Sequence, residues 1–185
     1  MVTEQLAAEK KLIERAQHDP KAFGELYEHY YSKIFNYALR RTCDIDLALD
    51  ITSLTFLKAL KEIERFRWRG VPFSSWLYKI ATNEIYSHYR KTKKSISLDC
   101  DQTLRKIDDF SIEALKAEED LYRHEEFLLL HQKVAELPIH YQEVIVLRFF
   151  EKMKIKEICE ILGKGEGTVK SLLHRGLQKL KEYME

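Results

Sequence analysis

The stretch that decides the fold is IKEICEILGKGEGTVKSLLHRGLQKL, residues 155–180. Apolar side chains recur in it at spacings of three and four residues, which is typical of amphipathic helices. A glycine-rich run at residues 163–167 separates two such segments, and glycines grouped in this way favour a tight turn. The stretch therefore predicts a helix, a short turn and a second helix, which is the outline of a helix-turn-helix.

The two faces of these predicted helices differ in chemistry. The inward side chains are expected to be Ile155, Ile158 and Leu162 in the first helix and Val169, Leu172 or Leu173, Leu177 and Leu180 in the second. The start of the second helix carries Thr168, Lys170, Ser171, His174 and Arg175. A helix in this position enters the major groove of DNA in helix-turn-helix proteins, so we expect these polar side chains to meet base edges and phosphates.

Length and composition favour small helical units. A chain of 185 residues accommodates one large or two small domains, and 6 glycines and 3 prolines give little support for an all-β fold. No apolar run approaches the roughly eighteen residues of a membrane span, and residues 1–11 lack the apolar core of a signal peptide. Cys43, Cys100 and Cys159 are few and far apart, which favours a reducing, cytoplasmic location over a disulfide framework.

The net charge of +1 conceals an uneven distribution of charge along the chain. Residues 20–94 contain 14 Lys and Arg against 8 Asp and Glu, whereas residues 95–123 contain 4 against 8. Residues 164–181 contain five basic side chains and Glu166 as their one acidic residue. Basic clusters suit a polyanionic partner, although lysines and arginines also serve simply to solvate helix faces.

Helical periodicity extends over most of the chain and predicts an all-α fold of two small domains joined by an acidic flexible linker. The expected helices cover residues 3–17, 20–41, 47–65, 76–91, 125–135, 140–150, 155–162 and 167–182. Asp19 and Pro20 would open the second of these, and Ser74 or Ser75 would cap the fourth. The predicted domains are residues 1–94 and 124–185, with the linker at residues 95–123.

The third predicted helix, at residues 47–65, has its own inward stripe. Its side chains are Leu47, Ile51, Leu54 and Leu57 or Lys58, which recur at spacings of three and four.

A second functional signal is the segment FSSWLYKIATN, residues 73–83, which follows FRWR at residues 66–69. Aromatic faces, cations and an amide are the chemistry that unstacked bases require. The alternative is that Trp76, Leu77 and Ile80, at helical spacing, belong to the hydrophobic core. Spacing alone leaves both interpretations open.

Taken in order, these motifs resemble an extracytoplasmic-function (ECF) sigma factor, the small two-domain branch of the sigma-70 family of bacterial transcription initiation factors. The matching stretches are residues 22–40, Ala48-Leu49-Asp50 with Thr55-Phe56-Leu57, residues 73–83, Leu137-Pro138, residues 144–147, Glu157-Ile158 and residues 167–171. The resemblance implies a dissociable initiation subunit that binds core RNA polymerase through its beta and beta-prime subunits and has no catalytic activity.

The resemblance also implies roles for particular residues. Single-stranded DNA of the minus-ten promoter element would contact Trp68, Trp76, Tyr78, Lys79 and Asn83, with one base flipped into a pocket. Duplex DNA of the minus-thirty-five element would contact Thr168, Lys170, Ser171, His174 and Arg175. Asp50, Ser53, Phe56 and Lys58 would dock on the polymerase. An anti-sigma protein is an expected further partner, whereas no cofactor, metal ion or membrane insertion is implied.

This chain departs from the family pattern at several positions. Ser53 and Leu54 stand where the family usually has a glutamine and an acidic residue that grip the polymerase, and Leu54 also fits the inward stripe. Leu172 replaces a common arginine of the recognition helix, so one DNA contact is expected to be missing. Gly165 stands where a serine often caps that helix, and glycine is an acceptable N-cap.

Two other functions are consistent with parts of the sequence. A helix-turn-helix regulator that binds duplex DNA as a dimer would not need Trp76, Tyr78 and Asn83 beside a basic loop. A degenerate family member would bind polymerase or another protein without working promoters. Enzymatic chemistry finds no support, because the seven histidines are scattered and no nucleophile motif or P-loop is present.

Overall fold

The computed structural model describes residues 2–68, 70–92 and 129–185, and every regular element in those ranges is helical. The helices are α1 (Val2–Ala16), α2 (Pro20–Thr42), α3 (Ile45–Glu62), α4 (Phe73–Thr92), α5 (residues 129–136), α6 (Ile139–Ile145), α7 (Ile155–Leu162) and α8 (Glu166–Met184). A 3-10 turn, Ile63–Arg65, follows α3, and a π-helical turn, Val146–Phe150, continues α6. The predicted all-α class is confirmed; the predicted linker lies outside the described residues.

Aspartate caps fix the starts of α2 and α3. The Asp19 carboxylate accepts a hydrogen bond from the backbone N–H of Lys21 at 2.9 Å, and Pro20 occupies the first turn, as expected. Asp44 likewise accepts from the N–H of Leu47 at 2.9 Å, so α3 begins at Ile45, two residues before the predicted start.

Helix α4 begins at Phe73, three residues earlier than the sequence indicated. The N–H of Ser75 donates to the carbonyl of Pro72 at 3.0 Å, which closes the first turn through the backbone. Ser74 and Ser75 therefore lie inside the helix and are buried, and the prediction that one of them caps it is wrong.

Helix α2 is the centre of the first half of the chain, since it packs against α1, α3 and α4. The fully buried apolar side chains in this half are Leu26, Ile34, Tyr37, Ile51, Phe73, Leu77 and Ile85. The hydroxyl groups of Tyr37 and Thr82 lie 2.7 Å apart, so this polar pair is satisfied inside the core.

The predicted inward stripe of α3 is partly wrong. Leu54 is 43% exposed and Leu57 is 48% exposed, whereas the buried residues are Ala48, Ile51, Thr52, Thr55, Phe56 and Ala59. The threonines can face inward because each hydroxyl donates to a carbonyl one turn earlier, at 2.6 Å for Thr52 and 2.7 Å for Thr55. Two leucines consequently point to solvent.

The second half contains the predicted helix-turn-helix. Gly163 ends α7 in the left-handed conformation, with φ of +63°, which a residue with a side chain rarely adopts. Gly165 is the N-cap of α8, as expected. The two helices bury Ile158, Ile161, Val169, Leu172, Leu173 and Leu180 between them and α6.

One inward position of α8 differs from the prediction. Leu177 is 42% exposed, and Gly176 takes the buried place beside it. A Cβ at Gly176 would lie 3.2 Å from the Cδ1 of Ile145 and 3.2 Å from the Cβ of Tyr141. Helices α6 and α8 therefore approach each other closely at this glycine, and Leu177 is rotated about 100° away from the contact.

Two further findings concern the apolar character of the helices and the state of the cysteines. Within the described ranges, none of the helices combines the length and the apolar character that a bilayer crossing demands. Cys43 ends α2 with φ of 49° and is disulfide-bonded, while Cys159 carries a free thiol.

The close approach at Gly176 predicts opposite effects of substitution at two glycines of α8. Gly176→Leu should lower the free energy of unfolding by about 1–3 kcal/mol, because the larger side chain overpacks the contact with Ile145. Gly167→Ala should raise it by up to about 1 kcal/mol, since a Cβ there meets nothing within 4 Å. Urea denaturation followed by circular dichroism measures both; a neutral Gly176→Leu would contradict the close packing.

Candidate nucleic-acid interface

The outer surface of α8 presents a continuous polar arc. Thr168, Lys170, Ser171, His174 and Arg175 are all exposed, and at 100° per residue they cover a little under half of the helix circumference. The opposite side of the helix is buried against α6 and α7. The structure therefore brings all five predicted duplex-contacting residues to one accessible face near the helix N-terminus.

An ion pair lies within this arc. The Nζ of Lys170 is 2.6 Å from an Oε of Glu166, one turn earlier in the helix. This hydrogen bond and the attraction between the charges raise the pKa of Lys170 and lower the pKa of Glu166, so both groups are charged at neutral pH. A phosphate that binds Lys170 would have to compete with the Glu166 carboxylate.

Other side chains of α8 are either free to reach outward or withdrawn from the surface. The guanidinium of Arg175 makes one long contact, from Nε to the carbonyl of Ser171 at 3.4 Å. Leu172, which replaces a common arginine, is buried in the domain core. Leucine at this position therefore contributes apolar contacts to the hydrophobic core of the second half.

The second predicted site is built around an aromatic cluster at the start of α4. The ring of Trp76 lies 4.8 Å from the ring of Phe66 and 5.3 Å from that of Phe73, measured between centroids. These contacts hold the indole half-buried at the surface. Trp76 thus packs against the core as one interpretation expected, and the exposed part of its ring leaves contact with a base as a prediction.

Trp76 lines two clefts. One, of 280 Å³, is lined by Arg65, Phe66, Arg67, Val71, Pro72, Ser75, Trp76, Lys79 and Glu160. The other, of 570 Å³, is lined by Lys58, Lys61, Glu62, Arg65, Phe66, Trp76, Ile80, Asn83 and Glu84. Each cleft has an aromatic wall and basic side chains at its edge, which is the chemistry that stacks a base and binds its phosphate.

The structure groups three of the five residues predicted to bind single-stranded DNA. Trp76, Lys79 and Asn83 recur at spacings of three and four and line these two clefts. Trp68 lines a different depression, against α1. Tyr78 lies on another side of α4, is 2% exposed, and donates its hydroxyl to Glu151 at 2.5 Å.

Arg65 and Lys61 belong to the clefts but were not among the predicted site residues. Arg65 lines both clefts, and Lys61 lines the larger one. They are supplied by the end of α3 and the 3-10 turn, which precede residues 73–83 in the sequence. The sequence signal available for them was the excess of basic residues over residues 20–94.

The predicted docking residues of α3 differ in exposure and in their contacts. Asp50 and Ser53 are exposed. Phe56 is buried, with its ring 4.8 Å from that of Tyr27, so its side chain is not presented to a partner. Lys58 pairs with Glu84 of α4 at 2.6 Å and faces the larger cleft.

A row of exposed leucines accompanies Asp50 and Ser53. Its members are Leu49, Leu54, Leu57 and Leu60, each between 40% and 48% exposed. Exposed leucines grouped on one helix mark a surface for protein contact. Sequence reasoning missed this surface because it assigned Leu54 and Leu57 to the core.

The described residues contain no group of three or more His, Cys, Asp or Glu side chains placed to hold a metal ion.

Two family descriptions match this chain in order. Sigma-70 region 2 matches residues 26–95, and Sigma-70 region 4 matches residues 127–180. The first match contains α3, α4 and the aromatic cluster, and the second contains the helix-turn-helix.

Curated relatives extend the similarity over most of the chain. The RNA polymerase sigma factor SigV of Bacillus subtilis is 36% identical, over 83% of this chain and 83% of that protein. The ECF RNA polymerase sigma factor BldN of Streptomyces coelicolor is 31% identical over 92% of this chain, which spans 63% of that protein's length.

Solved structures share the fold. CnrH, determined in complex with the cytosolic domain of CnrY, superposes with a TM-score of 0.69 at 21% identity, over 96% of this chain and 97% of that one. The sigma factor RpoE of Bartonella quintana, determined in complex with the anti-sigma factor NepR, gives a TM-score of 0.65 at 22% identity, over 89% of this chain and 97% of that one.

The Lys170–Glu166 pair predicts that removing the acid strengthens duplex binding. Glu166→Gln should raise the affinity for a random-sequence DNA duplex by about two- to threefold and steepen its salt dependence, because Lys170 becomes available to a phosphate. Fluorescence anisotropy over a series of salt concentrations measures both quantities. The control is Glu182→Gln, which removes the partner of Lys179 near the other end of α8. An equal gain in both variants would show that net charge, not this pair, sets the affinity.

Proposed function

This chain belongs to the sigma-70 family of transcription initiation factors, within its extracytoplasmic-function branch, and we propose that it directs core RNA polymerase to particular promoters without catalysing a reaction itself. The observation that carries the proposal is that region 2 and region 4 both match, in order, at residues 26–95 and 127–180. A regulator that binds duplex DNA without opening it would need only the region 4 match. The proposed domains are residues 1–94 and 124–185, and the proposed location is the cytoplasm.

We propose that α8 reads the minus-thirty-five element in the major groove. The arc from Thr168 to Arg175 is accessible, and its basic side chains suit phosphates and guanine edges. Lys170 and Arg175 supply the positive charge, while the side chains of Ser171 and His174 can each donate or accept a hydrogen bond.

The clefts around Trp76 are the proposed site for the melted minus-ten strand. Trp76 would stack on an unpaired base, Asn83 would hydrogen-bond a base edge, and Lys79 with Arg65 would hold the backbone. Flipping a base costs a few kcal/mol of lost stacking, which new stacking on an aromatic face offsets. Tyr78 is left out of the proposed site, because it lies on another side of α4 with its ring packed against Tyr37 and its hydroxyl bonded to Glu151.

The exposed leucines of α3, together with Asp50 and Ser53, are the proposed docking surface for core polymerase. An apolar row beside one carboxylate suits a partner that offers both apolar contacts and a basic side chain. Phe56 would support this surface from beneath, through its packing against Tyr27.

Regulation by an anti-sigma protein is a further part of the proposal. Bartonella RpoE, which shares this fold, was solved with the anti-sigma factor NepR. A protein of that class that covers α3 or the Trp76 clefts would prevent docking or strand capture in this chain.

Run-off transcription tests the whole proposal. Core polymerase should yield specific transcripts on genomic promoter fragments only when this protein is present, because the protein supplies both promoter contacts. Transcripts that are absent despite measurable duplex binding, together with no affinity for core polymerase, would favour the regulator that binds duplex DNA without opening it. Tight polymerase binding without transcripts would favour the degenerate family member.

Trp76→Ala should separate strand opening from duplex recognition. The variant should reduce run-off transcription at least about fivefold, since stacking on an aromatic side chain contributes about 1–3 kcal/mol per base. Duplex binding by α8 should be unchanged. Permanganate reactivity of unpaired thymines at the promoter measures opening directly. Trp68→Ala is the matched control, because Trp68 lies in a separate depression; equal losses in both variants would assign Trp76 to packing.

Leu57→Asp should weaken docking on the polymerase. A carboxylate in the exposed leucine row would be desolvated on binding, so the affinity for core polymerase should fall by at least about tenfold. The fold should tolerate the substitution, because the Leu57 side chain is already 48% exposed. Surface plasmon resonance with immobilised core enzyme measures this affinity. Tyr183→Asp places a similar charge in α8, outside the proposed surface, and serves as control. Unchanged binding by Leu57→Asp would place docking elsewhere.

A further inference from the structure

We propose that the side-chain amide of Gln17 positions the single-strand site, by fixing the turn that supplies one wall of both clefts. Gln17 directly follows α1, and neither family match reaches it, since the first begins at residue 26. The inference deepens the proposed function and rests on it, because the site that Gln17 would position is the proposed minus-ten site.

The Gln17 amide joins both ends of the 3-10 turn that follows α3. Its Nε2 donates to the carbonyl of Ile63 at 3.1 Å and to the carbonyl of Phe66 at 2.9 Å. The nitrogen of a side-chain amide carries two N–H groups, so each carbonyl can receive one of them. The backbone N–H of Phe66 also donates to the Ile63 carbonyl, at 3.0 Å. One side chain from the end of α1 therefore holds the first carbonyl of the turn and the first carbonyl after it.

The Gln17 amide differs from the other side-chain donor to this turn. The Nη1 of Arg67 donates to the carbonyls of Glu64 and Phe66, at 3.1 Å each. Arg67 is exposed and adjoins the turn in sequence, so these bonds move with the turn and do not tie it to another helix. The buried side chain of Ile63 anchors the start of the turn in the core. Gln17 extends that anchor to Phe66, where the chain becomes extended with φ of −60° and ψ of 136°.

The turn that Gln17 holds forms part of both clefts. The ring of Phe66 lies 4.8 Å from the ring of Trp76 and 5.4 Å from that of Phe73, measured between centroids. Arg65 and Phe66 each line the smaller and the larger cleft. The position of this turn therefore decides where the indole of Trp76 rests and where the charge of Arg65 can meet a phosphate.

Gln17 acts on the clefts from behind. It lines the depression that contains Trp68, on the α1 side of the turn, and neither of the two clefts. Its N–H groups are occupied by the two carbonyls, so they are not directed at a base or a phosphate. Its role is to position the residues that meet the strand.

Helix α1 also holds the start of α4. The carboxylate of Glu9 accepts a hydrogen bond from the backbone N–H of Phe73 at 3.3 Å and another from the hydroxyl of Tyr30. The first N–H groups of a helix have no partner within it, so a carboxylate at this place stabilises the helix start. Trp76 lies one turn further along α4. Both sides of the aromatic cluster are thus anchored on α1, the turn through Gln17 and α4 through Glu9.

Tryptophan fluorescence tests the role of Gln17 in the full chain. Gln17→Met keeps a side chain of similar length and removes both N–H donors, whereas Gln17→Glu directs a carboxylate at the two carbonyls. A Trp68→Phe background leaves Trp76 as the only tryptophan, since the sequence has two. With the turn released, Trp76 emission should shift to longer wavelength and acrylamide quenching should increase, because Phe66 no longer covers the ring. The shift should be larger for Gln17→Glu.

Promoter opening provides the functional measurement. Gln17→Met, with Trp68 retained and with core polymerase present, should reduce permanganate reactivity at the promoter by about fivefold, because a displaced turn lowers the fraction of molecules with a competent site. Duplex affinity should be unchanged, since α8 lies in the other half of the chain. Gln132→Met, at a half-buried glutamine of α5, is the matched control and should alter neither opening nor Trp76 emission. Circular dichroism with urea denaturation verifies that each variant is folded.

The outcomes separate the role of Gln17 from the proposed function. Unchanged Trp76 emission and quenching in both Gln17 variants would overturn the positioning role, as would a shifted emission with undiminished opening. Equal losses of opening and duplex affinity in a folded Gln17→Met would also overturn it, since they would show a general effect on the chain. The emission measurements need neither DNA nor polymerase. They would therefore still decide whether Gln17 fixes the turn if run-off transcription with the wild-type chain overturned the proposed function.

Discussion

The buried guanidinium of Arg41 is the interaction around which the two halves of this chain are arranged. It lies at the end of the central helix α2, bonds Tyr37 within its own half and reaches Gln142 in the other. The hydroxyl of Tyr89 donates to the Arg41 carbonyl at 3.1 Å, which ties α4 to the same point. A buried charge is costly unless it is hydrogen-bonded, so the bond to Gln142 ties α2 to α6, while the Nη2 of Arg41 has no partner among the described residues.

The sequence predicted the elements of the fold well where local chemistry decides them. The caps at Asp19 and Gly165 and the turn at Gly163 depend on neighbouring backbone atoms, and all three are present. The errors concern which face is buried. Leucine is more apolar than threonine, yet Thr52 and Thr55 lie inside α3 because their hydroxyls bond the helix backbone.

The candidate sites were predictable to the extent that their residues share one helix. Helical spacing alone predicts that the residues of the α8 arc share one face. The same spacing predicts that Trp76, Lys79 and Asn83 lie together on α4. Arg65 and Lys61 reach the clefts through tertiary packing of α3 and the following turn on α4, and the excess of basic residues over residues 20–94 does not specify which of them do so. The contacts of Glu151 and Tyr78 were unpredictable for the same reason, since 73 residues separate them.

The accessibility of the α8 arc has a consequence for how the free molecule would move on a chromosome. A free molecule whose α8 is accessible can sample duplex DNA by charge attraction and move along it, in the manner of sequence-independent binding. The pair of Lys170 and Glu166 lies within that arc, so a phosphate reaches Lys170 only in competition with a carboxylate of the same helix. Contacts with phosphates outside the target sequence would thus be weakened at this position, which shortens each stay on the wrong stretch of DNA.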